Sequence, residues 1–255
     1  IYGFTENELK KFNFNEKIIK KILDAHKFKL DRYFNYLEKY NIKVVSFKDK
    51  EYPQSLNYIS NKPAFLYLRG SIDNLYSDNV AVVGSRKATS YGKYVSKKIS
   101  KEFSDRNINV VSGLAIGIDK YAHLGCLESN IGKTIAVLGT GVSNQEIYPL
   151  QNKKIFERIL ENDGTIISEF KLGTKPEKYN FPLRNRIISG ISNKIIVVEA
   201  EEKSGSLITA ELGLEQGKDI FAVPGNITSK NSVGTNKLIS EGAYVFKSVE
   251  DIFIC

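Results

Sequence analysis

Glycine and small polar residues follow apolar runs at four places in this chain, and the pattern predicts a surface that binds anions. The four segments are Val80-Ala81-Val82-Val83-Gly84-Ser85-Arg86, Val110-Val111-Ser112-Gly113, Val137-Leu138-Gly139-Thr140-Gly141 and Val197-Val198-Glu199-Ala200. Glycine lets backbone N–H groups approach an oxyanion closely, and a helix that begins just after a strand directs its positive end at the same place. Because such turns collect at the carboxyl edge of an open α/β sheet, several side by side favour a nucleic acid over a single nucleotide.

Two of the glycine turns are candidate phosphate sites. In Gly84-Ser85-Arg86, an exposed arginine can bind a phosphate through two N–H groups while the glycine and serine amides hold neighbouring oxygens. A tight turn with a solvated arginine fits the same residues equally well. Gly205-Ser206 is a second phosphate-capable entry to a helix, and the acidic residues 199–202 before it also fit a solvent-facing loop.

Residues 178–188 combine an aromatic ring with cations. The cations are Lys178, Arg184 and Arg186. Pro182 fits the first turn of a helix, and Phe181 stands just ahead of it. A ring next to lysine and arginine is typical of single-stranded nucleic acid binding, in which a base stacks on the ring for about 1–3 kcal/mol and cations hold the backbone. A hydrophobic staple over the helix start is the alternative interpretation of Phe181.

The turn at Gly113 leads to the two polar residues Asp119 and His123. Asp119 stands near the start of the next helix, where its side chain can cap the helix, and a simple helix entry explains the turn as well. His123 follows Asp119 by four residues, which fits a hydrogen bond between the two side chains. A buried histidine with satisfied hydrogen bonds is the favoured interpretation, because no serine or cysteine nucleophile is evidently paired with it.

Several common sites are disfavoured by spacing. The segment 139–144 lacks the third glycine of a dinucleotide fingerprint, and Gly132-Lys133-Thr134 lacks the upstream glycine of a Walker A loop and precedes a strand. Cys126 and Cys255 lie far apart without CxxC spacing, which argues against a zinc site and a disulfide framework. We therefore expect no cofactor and no metal.

The composition is that of an ordinary globular protein with a basic bias. The 255 residues carry a formal net charge of +8, and residues 84–101 contain six cations and no acid, which favours a polyanion partner. No apolar stretch approaches the roughly 18–20 residues of a membrane span, and no secretory signal opens the chain. A soluble, cytoplasmic protein is the expectation.

The distribution of apolar residues predicts a small helical domain followed by an α/β domain. Helical spacing characterises the first forty residues, and residues 42–70 look like a connector leading into the sheet, so the boundary is predicted near Asp73. Further along, runs typical of strands alternate with helical patterns, which predicts βαβ units and a parallel sheet flanked by helices. The predicted strands lie near residues 79–83, 108–112, 133–138, 164–168, 194–199, 219–223 and 243–246.

At these motifs the chain resembles the DNA-processing protein A (DprA/Smf) family of bacteria over roughly residues 50–250. Six segments in order carry the resemblance: 84–86, 112–119 with Ala122-His123, 138–141, 181–190, 204–210 and 223–225. The resemblance implies an extended Rossmann-like domain at 74–255 that binds single-stranded DNA, forms a homodimer and loads RecA recombinase onto incoming DNA during natural transformation. It implies no catalysis and no cofactor, and it likens residues 1–73 to a sterile-alpha-motif-like (SAM-like) domain plus connector.

The family's DNA contacts correspond to Arg86, Lys178 and Phe181. Together with the turns, this gives a hypothesis in which phosphates run along the carboxyl edge of the sheet and a base stacks on Phe181. The candidate DNA-binding residues are Gly84, Ser85, Arg86, Gly113, Lys178, Phe181, Arg184, Asn185, Arg186, Gly205 and Ser206.

Two other classes of protein stay open. A nucleotide phosphoribohydrolase-like enzyme of a related fold would need Arg184 and Glu211 to converge on a ribose, since Gly205, Thr209 and Glu211 faintly resemble the glycine-rich turn of such enzymes. A partner-docking module would bind protein and would not retard DNA in a gel.

Overall fold

The computed structural model describes residues 4–12, 14–26, 30–129 and 131–253, and the chain divides into two compact units, Ile1–Asn41 and Ile42–Cys255. The smaller unit contains α1 (Glu6–Lys10), α2 (Glu16–His26) and α3 (Leu30–Lys39). A capping box begins α1, because the Thr5 hydroxyl accepts from the Glu8 N–H at 3.4 Å and the Glu8 carboxylate accepts from the Thr5 N–H at 2.7 Å. Likeness to a SAM-like domain stays a prediction.

In the part of the chain that the structure describes, the larger unit is built on a sheet of nine strands: β1 (Lys43–Ser46), β2 (Phe65–Gly70), β3 (Asn79–Val83), β4 (Asn109–Ser112), β5 (Thr134–Val137), β6 (Thr165–Ser168), β7 (Lys194–Val197), β8 (Asp219–Ala222) and β9 (Tyr244–Val245). The order across the sheet is β1-β2-β6-β5-β4-β3-β7-β8-β9. Strands β3 to β9 pair in parallel, whereas β2 is antiparallel to both of its neighbours. The predicted class, an α/β fold with an extended Rossmann-like sheet, is confirmed.

The α-helices that connect these strands are α4 (Ser90–Asp105), α5 (Ile118–Cys126), α6 (Lys153–Glu161), α7 (Asn180–Gly190), α8 (Gly205–Glu215) and α9 (Val233–Ser240). Alternate residues of the central strands pack on opposite faces. Val80 and Val82 join a core with α4 and α5, while Ala81 and Val83 join a second core with α7, α8 and α9. Both faces are therefore covered, which explains why the central strands are apolar throughout.

The structure divides the chain earlier than the predicted boundary near Asp73. The first compact unit ends at Asn41, because residues 42–70 contribute two strands to the sheet. Strand β1 pairs with β2, and β2 pairs with β6, so the predicted connector forms one side of the sheet. No α-helix separates these two strands, so the alternation of strand and helix that predicts the parallel sheet does not extend to them.

The order in which successive strands are added to the sheet changes direction at β3. The crossover through α4 leads to β4 on one side of β3, whereas β7 lies on the other side and leads through α8 to β8. In open α/β sheets the loops diverge at such a switch point and leave a crevice at the carboxyl ends of the strands. Strands β3 and β7 therefore define where a ligand site is expected. Within the described ranges, no helix is long and apolar enough to cross a membrane.

Close packing of α4 on α5 depends on Gly125. A Cβ atom at this position would overlap the backbone carbonyl of Lys97, and Ser96 in α4 donates to the Ile118 carbonyl of α5 at 2.9 Å. We expect Gly125→Ala to lower the free energy of unfolding by about 1–3 kcal/mol, because the helices must move apart. Urea denaturation measures the change. Gly205→Ala is the control, since nothing lies within 4 Å of its Cβ position; equal stability of both variants and the wild type would contradict the packing.

Candidate nucleic-acid interface

A cleft of about 710 Å³ opens at the carboxyl edge of the sheet, beside the ends of β3 and β7. Of the eleven residues that the sequence predicts to bind DNA, nine line it: Gly84, Ser85, Arg86, Lys178, Phe181, Arg184, Asn185, Gly205 and Ser206. The cleft therefore lies at the switch point, and segments distant in sequence meet there. Gly113 and Arg186 are not among its lining residues.

Backbone hydrogen bonds fix the Gly84-Ser85-Arg86 turn. The Ser85 N–H donates to the Glu199 carbonyl after β7 at 2.7 Å, and the Ser85 carbonyl accepts from the Ile118 N–H at the start of α5 at 3.1 Å. The serine amide is thus engaged within the protein, instead of being free for a phosphate as predicted. The fixed turn leaves the Arg86 side chain exposed at the cleft.

Arg86 and Phe181 are in direct contact although 95 positions separate them in the chain. The guanidinium carbon of Arg86 lies 5.2 Å from the centroid of the Phe181 ring, within the range of a cation–π interaction. Lys178 is exposed and lines the same cleft three residues before Phe181. Two cations and a part-buried ring therefore converge on one surface.

Arg184 holds α7 against the edge of the sheet. Its guanidinium is buried and donates to the carbonyls of Gly113 at 2.8 Å and of Val137. Burial lowers the pKa of Arg184 to about 10, although the nearby carboxylate of Asp119 opposes the shift. The predicted DNA contact is thus occupied by carbonyls at the ends of β4 and β5, and Arg184 forms part of the cleft wall.

Asp119 occupies the amides of the Gly113 turn. Its carboxylate accepts from the N–H groups of Gly113 at 3.1 Å and Ala115 at 3.4 Å. Burial raises the pKa of Asp119 from its ordinary value, and the charge of Arg184 acts in the opposite direction. The Gly113 amide is thus satisfied by an internal carboxylate and not directed at a phosphate, which corrects the prediction.

His123 is buried with both ring nitrogens hydrogen-bonded. Nε2 accepts from the Leu114 N–H at 3.3 Å, and Nδ1 lies 2.7 Å from the hydroxyl of Thr134, which itself donates to the Val110 carbonyl. These partners assign the ring proton to Nδ1. The favoured interpretation of a buried, satisfied histidine is confirmed, and Leu114 and Thr134 take the place of the predicted partner Asp119.

Arg186 stabilises a different part of the fold. Its guanidinium forms a two-pronged ion pair with the Glu169 carboxylate, with Nη2 2.7 Å from Oε2, and donates through Nε to the Asn61 carbonyl at 2.8 Å. Both charged side chains are largely buried. The prediction that Arg186 contacts DNA is therefore replaced by a structural role, because its donors are already engaged.

The start of α8 is tied to α7 at the cleft. Asn185 donates to the Gly205 carbonyl at 3.2 Å, and the Ser204 hydroxyl caps the helix by accepting from the Ser206 N–H at 3.4 Å. Gly205 is exposed as the first residue of α8. The positive end of the helix therefore faces the cleft, where it favours an anion.

The lining residues that were not predicted as site residues include Lys87, Tyr148 and Glu201. Lys87 directly follows the predicted site residue Arg86, so its position in the sequence could have identified it as a site residue. Glu201 belongs to the acidic run 199–202, whose composition also fits a solvent-facing loop. Tyr148 lies in a loop without periodicity ten residues beyond the predicted strand 133–138, and only an aromatic ring next to a proline marks it. Among the described residues, no three His, Cys, Asp or Glu side chains gather as metal ligands.

Acid should destabilise the fold through His123. Burial, reinforced by the charge of Arg184, lowers the pKa of His123 from 6.5 to about 3. Below pH 6.5 the unfolded chain binds a proton that the folded chain excludes, so stability is lost as the pH falls from 6.5 towards 3. We expect the free energy of unfolding to fall by about 2 kcal/mol between pH 7 and pH 5, relative to a His123→Gln variant.

Urea denaturation at both pH values measures this difference. A parallel NMR titration of the wild type should find the His123 ring signals unchanged down to pH 5. An ordinary titration near pH 6.5, or the same loss of stability in both proteins, would contradict the buried neutral state.

Sequence comparisons identify relatives over most of the chain. A family model described as DNA recombination-mediator protein A matches residues 43–255. "DNA processing protein DprA" of Bacillus subtilis is 40% identical over 226 residues, which are 88% of this chain and 75% of that protein. Across seven curated relatives, the chain spans between 49% and 79% of their length.

The solved structures that share this fold include those of two relatives. The X-ray structure of DprA from Streptococcus pneumoniae has a TM-score of 0.79 at 36% identity, and the match covers 99% of this chain and 94% of that one. The structure of DNA processing protein A from Helicobacter pylori, which is described as having a unique single-stranded DNA binding mode, has a TM-score of 0.73 at 28% identity. The match covers 82% of this chain and 94% of that one. Because the match to the family model includes all nine strands and every residue that lines the cleft, the chain belongs to the DNA-processing protein A (DprA/Smf) family.

Proposed function

We propose that this chain binds single-stranded DNA in the cleft at the carboxyl edge of its sheet. The convergence of Arg86, Lys178 and Phe181 on one cleft is the observation that carries the proposal. Cations spaced around an aromatic ring suit a strand whose phosphates need neutralising and whose bases offer flat faces. The single-stranded DNA binding mode described for the relative from Helicobacter pylori supports the same conclusion.

The placement of the ring favours an unpaired strand. Phe181 is part-buried inside the cleft, with the Arg86 guanidinium over one face. In a duplex, both faces of each base are covered by its neighbours, so a base must leave the stack before it reaches this ring. A single strand can present a base at lower cost, which makes it the preferred ligand.

Anion binding is divided among a few groups. Arg86 and Lys178 supply exposed charges, and Gly205 and Ser206 begin the helix whose positive end faces the cleft. We assign phosphate contacts to these residues and to the backbone at Gly84. Asn185 positions the Gly205 turn through its hydrogen bond.

The relatives support a role in recombination that extends beyond DNA binding. We propose that the chain acts as a homodimer in the cytoplasm and loads RecA recombinase onto strands taken up during natural transformation. The match to a recombination-mediator family and the DNA-processing names of the relatives support this role. In this proposal the protein works by binding, without a chemical step or a cofactor.

The phosphoribohydrolase alternative has less support. It needs Arg184 and Glu211 to meet at a ribose, but Arg184 donates to main-chain carbonyls and Glu211 is not among the residues lining the cleft. Incubation with nucleoside monophosphates should therefore release no free base. Release of base that is lost in Glu211→Gln would establish the enzyme instead.

Binding should weaken with salt, because it depends on phosphate neutralisation. For a labelled oligonucleotide followed by fluorescence anisotropy, two neutralised phosphates predict a log–log slope of about −1.4 or steeper, at about 0.7 per phosphate. Arg86→Ala and Lys178→Ala should each make the slope shallower by about 0.7. A wild-type slope near zero would remove the electrostatic basis of the proposal.

The same two variants should lose affinity by about fivefold to tenfold for every strand sequence, because backbone contacts carry no sequence information. The matched control is Lys101→Ala, which removes an equal charge at the far end of α4, where the ammonium lies 2.6 Å from Asp105. That end of α4 leads into β4 at the amino edge of the sheet. A variant at Arg86 or Lys178 that binds as tightly as the control would exclude that residue from the site.

A further inference from the structure

We propose that Tyr148 is a second base-stacking surface of the cleft, and that Tyr148 and Phe181 together select strand segments whose neighbouring bases are unstacked. This role rests on the proposed binding of single-stranded DNA and adds a contact residue and a preference to it. Tyr148 lines the cleft and keeps 44% of its surface exposed. A large ring that is half-exposed beside two cations is suited to bind a base.

The proposed preference for unstacked bases follows from the angle between the two rings. The ring centroids of Tyr148 and Phe181 are 5.6 Å apart, and their planes are inclined by 41°. Neighbouring bases that stack on each other lie nearly parallel, about 3.4 Å apart along the strand. Two bases in that arrangement cannot each lie flat on rings inclined to each other. A strand that uses both rings must therefore separate its bases.

Hydrogen bonds hold the loop that carries Tyr148. The Glu146 carboxylate accepts from the N–H groups of Ser143 at 3.2 Å and of Gly173, and the Gly141 N–H donates to the Thr174 carbonyl at 3.3 Å. These bonds join residues 141–146 to residues 173–174. A ring on a held loop loses little conformational entropy when a base arrives, so its contact contributes most of its interaction energy to binding.

A requirement for separated bases predicts a dependence on composition. Adenine runs stack strongly within a single strand, whereas thymine runs are flexible and weakly stacked. To place bases on both rings, oligo(dA) must lose the stacking between its neighbouring bases, whereas oligo(dT) has little such stacking to lose. The wild-type protein should therefore bind oligo(dT) more tightly than oligo(dA) of the same length.

Anisotropy titrations of four proteins with labelled oligo(dT) and oligo(dA) test the proposal. Tyr148→Leu should lose about tenfold in affinity for oligo(dT), equivalent to about 1.4 kcal/mol, and should lose less for oligo(dA). Tyr148→Phe should retain both the affinity and the preference because it retains the ring. The matched control is Tyr179→Leu, which removes a tyrosine that is 70% exposed, close to Phe181 in sequence and not among the cleft-lining residues.

The outcomes separate this role from DNA binding as such. If the wild type binds and Arg86→Ala weakens it while Tyr148→Leu binds like the wild type, the second stacking surface is refuted and the proposed function stands. If no single strand binds the wild type, the proposed function itself is wrong. Equal wild-type affinity for oligo(dT) and oligo(dA) overturns the selection of unstacked bases, whether or not the leucine variant folds.

Discussion

A buried arginine fixes the geometry on which the cleft depends. Arg184 projects from α7 and donates to main-chain carbonyls at the ends of β4 and β5. Asn180, at the first position of α7, adds a hydrogen bond to the Gly139 carbonyl at 3.0 Å. These bonds hold the amino end of α7 against the carboxyl edge of the sheet, so Phe181 and Lys178 stand over the ends of the parallel strands. A helix free to shift by one turn, about 5.4 Å, would carry both side chains away from Arg86.

The charged residues of the site fall into two sets: buried side chains that bind partners within the protein, and side chains exposed at the cleft. Arg184, Arg186 and Asp119 are buried with partners from the protein, because an unpaired charge in the interior is costly. Arg86 and Lys178 keep their charges at the surface of the cleft. The buried set positions the backbone, and the exposed set is available to a polyanion. Arginine occurs in both sets, so the residue type alone does not decide which role a side chain has.

Much of the fold could be predicted from the sequence, because its signals are local. Seven apolar runs between glycine-rich turns predicted β3 to β9 within a few residues, and their alternation with helical patterns predicted the parallel pairing. Strands β1 and β2 were predicted only as a connector, since no α-helix separates them and they pair antiparallel, outside the βαβ alternation. The position of the cleft was also predictable, because turns at strand ends meet at one edge of a parallel sheet.

The roles of individual side chains could not be predicted in the same way. Whether Arg184 or Lys178 faces solvent depends on tertiary contacts between segments far apart in the sequence. The Gly113 turn has the composition of an anion site, yet Asp119 fills it from within, and spacing does not distinguish an internal carboxylate from a phosphate. Tyr148 enters the cleft through a loop held by Glu146 and Gly173, a contact that no periodic pattern encodes.

Photochemical crosslinking tests the central claim most directly, because it reports which side chain touches a base. A single-stranded oligonucleotide containing 5-iodouracil would be irradiated with the wild-type protein, and the attached peptide identified by mass spectrometry. The account predicts attachment at an aromatic ring of the cleft, with Phe181 as the principal site, and loss of that attachment when unlabelled strand competes. Attachment confined to rings outside the cleft, such as Tyr58 or Tyr244, would show that the strand lies elsewhere and would contradict the account.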